Sequence, residues 1–166
     1  AGLESEIHLN IEVNHATLSG HNFEHEINYA IANNAFGSID INRGDTLLGW
    51  DTDQFPNNPA DLLMAFYHIY SNGGFKNGGL NFDAKIRRQS IDPEDLFYAH
   101  IGGMDVAART LLATEKMIND KKFSSYIKSR YKDWESDLGK LIQDKSSNLS
   151  IVANKVPPVA SIGSII

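Results

Sequence analysis

Asp51 and Asp53 flank a single threonine in Gly49-Trp50-Asp51-Thr52-Asp53-Gln54-Phe55-Pro56. Alternate residues of an extended segment point the same way, so both carboxylates are expected to reach one cation. Hard divalent cations prefer such oxygen ligands. Three more acidic groups close short apolar, strand-like runs: Glu12 with His15 three residues on in Asn10-Ile11-Glu12-Val13-Asn14-His15, Asp40 in Gly37-Ser38-Ile39-Asp40, and Asp83 in Gly79-Leu80-Asn81-Phe82-Asp83. Five carboxylates around one point repel one another strongly without cations. That number suggests two metal ions sharing a bridging carboxylate. Oxygen-rich ligation with one imidazole suits Mg²⁺, Mn²⁺ or Co²⁺ better than structural zinc.

Each residue also has a plainer reading. A single Asp or Glu at a strand end is commonly a helix cap or a solvated loop residue. Asp51-Thr52-Asp53 alone is equally consistent with an Asx-type turn. His8, His21, His25, His68 and His100 are read as helix-face or supporting positions, Arg87-Arg88 as a solvated basic pair. It is the joint placement of four elements at successive strand ends that favours metal.

The elements that must position these groups follow from periodicity. Ile7 to Val13 alternates as a strand, and Ala35 to Ile41 and Leu80 to Phe82 are two further short strands. Helices are expected over His21 to Asn33, Asp61 to Ser71, Asp92 to about Asn119 with Pro93 in its first turn, and Ser124 to Gln143. Gly73 to Gly79 is a turn region. Alternating strands and helices are the pattern of parallel βα units. The acidic residues lie at the strand ends, where a (β/α)₈ barrel carries its active site. Such a barrel needs about 250 residues, and this chain has 166, so three strands make only part of one. The strand face of Ile11, Ile39 and Leu80 is expected to look into the barrel interior. From Ser146 the chain turns Ser/Asn-rich, then reads Val156-Pro157-Pro158-Val159, and is expected to be weakly structured.

Composition narrows the function. Hydrophobic content of 42% fits a globular domain, and a net charge of −6 argues against a nucleic-acid partner. With no cysteine there is no disulfide or thiolate site, which suits a cytoplasmic protein. No apolar run approaches a membrane span, and the start has no secretory pattern. The absence of an initiator methionine suggests a processed chain or a piece of something longer.

The runs Leu9 to Leu18, Gly37 to Asp40, Leu48 to Pro56, Gly78 to Arg88 and Asp95-Leu96-Phe97-Tyr98-Ala99-His100-Ile101 closely resemble the D-xylose isomerase family, of the longer bacterial-type class. The likeness runs from Ala1 to about Leu141. It implies an α/β fold: the C-terminal part, about strands six to eight, of a (β/α)₈ TIM barrel with a helical arm. Residues 1–119 would be partial barrel, 120–145 arm and 146–166 tail. It implies aldose–ketose isomerisation of D-xylose by hydride shift, with two divalent cations per complete site, Mg²⁺ or alternatively Mn²⁺ or Co²⁺. Carried over by motif, Glu12 would bridge the metals, Asp40 and Asp83 would hold the structural one, and His15, Asp51 and Asp53 the second. Asp53 would also orient a water. Implied partners are the pentose, the missing N-terminal barrel half and a homotetramer, with neither nucleic acid nor membrane.

On this reading the chain alone is expected to be inactive, because a metal-binding glutamate, a lysine and the ring-opening groups lie on earlier strands of the family. Two other readings stand beside it: a non-catalytic metal-binding or assembly piece needing a complementary chain, and a related barrel metal enzyme acting on another sugar. A metal-dependent endonuclease fits poorly with the acidic charge.

Overall fold

Two neighbouring parallel strands hold Glu12 and Asp40 level with one another. The computed structural model describes residues 2–3, 5–45, 47–48, 50–86 and 90–155; Arg87-Arg88 and Val156 to Ile166 lie outside them. Strands β1 (Leu9–Glu12), β2 (Phe36–Asp40) and β5 (Leu80–Asn81) form a sheet in the order β1-β2-β5, all parallel. The register sets Ile11 beside Ile39 and Glu12 beside Asp40, and Asp40 beside Asn81. The C-terminal ends of β1 and β2 therefore carry their carboxylates side by side.

Between β2 and β5 runs an antiparallel hairpin, β3 (Arg43–Asp45) with β4 (Trp50–Gln54). Arg43-Gly44-Asp45 shows no apolar alternation, so β3 is not expected from the sequence. Helix α1 (Val13–Leu18) follows β1 directly, so β1 ends at Glu12 rather than at Val13.

Local chemistry explains the other helices. Helix α2 (Phe23–Ala32) is capped by Asn22, whose side chain accepts from His25 N at 2.9 Å, with Glu24 and Glu26 in its first turn. Helix α3 (Pro59–Ser71) starts two residues earlier than the periodicity suggests, because Asn58 caps it by accepting from Ala60 N at 3.1 Å and Pro59 opens it. Helix α4 (Pro93–Asp120) packs along α3.

The core gathers Ile11 and Ile39 from the sheet, Ile27 and Ala30 from α2, Leu62, Ala65, Phe66 and Ile69 from α3, and Val106 from α4; Leu80 packs against it. Ile11 and Ile39 thus face the helices. This corrects the expectation that they look into a barrel interior. The neighbouring positions Asn10, Ser38 and Asp40 form a polar chain instead: Ser38 Oγ donates to Asn10 Oδ1 at 2.7 Å and Asn10 Nδ2 donates to Asp40 Oδ2 at 2.6 Å.

The chain divides into two compact units, 1–120 and 121–166. In the second, the helix expected over Ser124 to Gln143 is broken. It is α5 (Lys122–Arg130), a 3-10 turn at Lys132–Glu135, and α6 (Asp137–Gln143), restarted by Ser136, whose Oγ accepts from Gly139 N at 3.1 Å. A further helix, α7 (Leu149–Lys155), occupies part of the segment expected to be weakly structured. Among the described residues of this unit only Gly139 is buried, while Tyr126, Tyr131 and Trp134 are exposed.

Candidate metal centre

Glu12 is the last residue of β1 and the N-cap position of α1, yet its side chain makes no capping hydrogen bond. The carboxylate is left to face the strand ends. Because α1 begins at once, His15 lies one turn on, and residues three apart share a helix face. His15 Nδ1 is 3.2 Å from Glu12 Oε2, and His15 Nε2 is 3.1 Å from Asp51 Oδ2. Both ring nitrogens therefore face carboxylate oxygens. The Asp51 carboxylate also accepts from Asn14 Nδ2.

Asp53 turns away from this group. Its φ of +46° is left-handed, a region that L-residues with a Cβ seldom enter. The strict alternation of an extended strand is lost there. Asp53 is buried and ion-paired with Lys85 Nζ, and its carbonyl accepts from Lys85 N at 2.7 Å.

Among the described residues two sets of donor atoms result, the atoms of each lying within 4.8 Å of one another: Glu12, His15 and Asp51 in one, Glu12, Asp53 and Asp83 in the other. Glu12 belongs to both. The expected pairing of Asp51 with Asp53 on one cation does not appear, since Asp53 groups with Asp83. Asp40 lies level with Glu12 but falls in neither set, its carboxylate being turned to Asn10.

Burial pushes the Glu12 carboxyl above its usual range; the hydrogen bond from Asn42 and the His15 ring draw it back, and the nearby charges of Asp51 and Asp83 raise it further. A buried carboxylate among other carboxylates is an unfavourable anion unless a cation sits beside it. Four carboxylates and one imidazole in two sets sharing a member are a donor set that fits a pair of hard divalent cations.

Three residues that the sequence reading passed over support the centre: Asn14, Asn42 and Lys85. Asn14 is buried at 1% exposure. A Cβ on Gly44 would stand 1.8 Å from Asn14 Oδ1, so glycine is required in β3 for Asn14 to reach Asp51. On the far side, Phe55 follows β4 and Phe82 follows β5. They pack against His100 of α4 with ring centroids 4.6 and 6.2 Å away.

No protein-family model matches the chain. Curated proteins do. It is 55% identical over 155 residues to a xylose isomerase of Haemophilus influenzae, covering 93% of this chain and 35% of that protein. Xylose isomerases of Solibacter usitatus and Mesorhizobium japonicum are 52% and 53% identical, each again matched over 35% of its length. The chain therefore spans about a third of the relatives it matches. No helix among its described residues is long and apolar enough to cross a membrane. The chain is homologous to the xylose isomerases and matches a C-terminal portion of the longer enzyme.

Proposed function

We propose that the chain supplies the two-metal part of an aldose–ketose isomerase that converts D-xylose to D-xylulose. The observation that carries this reading is the membership of Glu12 in both donor sets. His15 and Asp51 would hold one divalent cation with Glu12, and Asp53 and Asp83 the other. Mg²⁺ is the first choice, with Mn²⁺ or Co²⁺ as substitutes. Asp40 completes the set once its carboxylate leaves Asn10. Cations bound there would act as Lewis acids on the sugar oxygens. Asp53, held through both its side chain and its carbonyl by Lys85, would orient a water at the reacting carbons.

The β1-β2-β5 order would be strands six to eight of a (β/α)₈ barrel, with residues 1–119 as the barrel part. The remaining strands belong to an N-terminal portion. The helices from residue 120 to 145 would be an arm. Their exposed Tyr126, Tyr131 and Trp134 suit burial against another subunit in a homotetramer, and a cysteine-free chain suits the cytoplasm. The second reading, a non-catalytic piece acting with a complementary chain, is favoured by the sheet itself. Its two outer strands, β1 and β5, present edges that no other described strand of this chain covers.

The test is complementation. Alone, the 166-residue chain should give no xylulose above background at saturating Mg²⁺. Co-expressed with the N-terminal portion of a related xylose isomerase, it should restore turnover, and Asp53→Asn in the chain should remove most of it. Undiminished turnover with Asp53→Asn would contradict the proposal.

A further inference from the structure

Asn42 lies just past β2 and is 2% exposed. Its side chain reaches three residues in two separate segments, the β1–α1 junction and the stretch after β5. Nδ2 donates to Glu12 Oε1 at 2.6 Å and to the Asp83 carbonyl at 3.0 Å, and Oδ1 accepts from Asn14 N at 3.0 Å. A primary amide has two N–H donors and one carbonyl, so both donors and the acceptor are engaged. The orientation of the amide follows from its partners. Turned over, its oxygen would face a carboxylate and a carbonyl, and its NH₂ would face another N–H. An aspartate of the same shape keeps the acceptor but loses both donors.

The consequence falls on Glu12. With Oε1 taken by Asn42, the carboxylate plane is fixed and Oε2 is the oxygen near His15 Nδ1. The same amide nitrogen fixes the backbone of Asp83, and the amide oxygen fixes the first turn of α1, which carries His15. One side chain therefore touches the shared ligand, the backbone of a ligand from the second set and the helix bearing a ligand from the first.

We infer that Asn42 is the positioning residue of the centre: it sets the rotation of the Glu12 carboxylate and the spacing of the two donor sets around it. This rests on the reading that those sets hold divalent cations. Groups that hold a ligand by hydrogen bonding typically change metal affinity roughly ten- to a hundredfold when removed.

The experiment titrates Co²⁺ into the chain and follows its visible absorption, for wild type, Asn42→Asp, Asn42→Ala and Glu12→Gln. Asn42→Asp and Asn42→Ala should each lose roughly ten- to a hundredfold in affinity with a changed absorption spectrum. Loss in both shows that the added charge of Asp is not the cause. A merely structural role would lower the unfolding midpoint equally with and without Co²⁺ and leave affinity and spectrum as in wild type, and that result would overturn the inference. Wild-type binding by Glu12→Gln would instead overturn the metal reading itself. A wild-type measurement needs no variant to fold: the Asn42 side-chain NH₂ protons should exchange slowly with solvent and shift when Mg²⁺ is added. Fast exchange and no shift would equally refute the role.

Discussion

Asp51 and Asp53 stand two residues apart in β4 and belong to different donor sets. Asp51 faces His15 and Asn14, whereas Asp53, at φ +46°, groups with Asp83 and pairs with Lys85. A regular strand would send both the same way. The left-handed residue is what lets one short strand contribute to two donor sets that share Glu12.

That conformation predicts a difference between two substitutions. Asn tolerates the left-handed region better than residues without a short polar side chain. Asp53→Asn should therefore keep more stability than Asp53→Ala, by about 1 kcal/mol, although both lose the carboxylate. Urea unfolding of the metal-free chain checks this. Equal midpoints would mean that Asp53 is not held left-handed.

Gly44→Ala should impair the Asp51 side of the centre. The new Cβ would meet Asn14 Oδ1 at 1.8 Å, and overpacking of this kind costs roughly 1–3 kcal/mol. Displacing Asn14 also removes its hydrogen bond to Asp51. The expected outcome is a lower unfolding midpoint together with weaker Co²⁺ binding.

Two adjacent glycines of α4 should respond with opposite sign. Glycine to alanine in a helix interior ordinarily gains about 1 kcal/mol. Nothing lies within 4 Å of a Cβ on Gly102, whereas one on Gly103 would stand 2.9 Å from Phe82 Cε1 and 3.3 Å from Phe55 Cδ1. Gly102→Ala should stabilise the chain and Gly103→Ala should destabilise it, both read by urea unfolding. Stabilisation by both would show that the aromatic packing gives way easily.

The three parallel strands and the longer helices of the first unit are legible because their apolar periods are strong, whereas the β3-β4 hairpin has no such period. Elsewhere a local signal is overruled or absent. Val13 continues the alternation of Leu9 and Ile11 but starts α1 instead, which is what brings His15 beside Glu12. Tyr131 to Ser136 carries helix-compatible residues, yet Ser136 starts a new helix. The orientation of Ile11 and Ile39 is decided by α2 and α3, which periodicity alone does not place. In the centre, carboxylates and histidine stand out by type, whereas Asn14 and Asn42 look like ordinary polar residues. The available clue was Asn42 at the end of the apolar alternation Ile39-Asp40-Ile41. The left-handed turn at Asp53 has no signal in its residue type beyond the mild tolerance of Asp for that region.

His68 of α3 gives a pH prediction remote from the centre. Burial lowers its pKa from 6.5, with Glu24 opposing weakly. A depressed histidine pKa means that the unfolded chain binds more protons between the folded pKa and 6.5. Stability then rises with pH through that window and is fully present above it. His68→Gln should flatten this part of the profile, as measured by thermal unfolding at a series of pH values. An unchanged slope would assign it to another group.

Calorimetric titration of Mn²⁺ into single variants tests most directly whether Glu12 serves two cations. Wild type should take up two equivalents. Asp51→Asn and Asp83→Asn should each weaken a different one, and Glu12→Gln should weaken both. If Glu12→Gln loses only one equivalent, or none, the shared centre is contradicted.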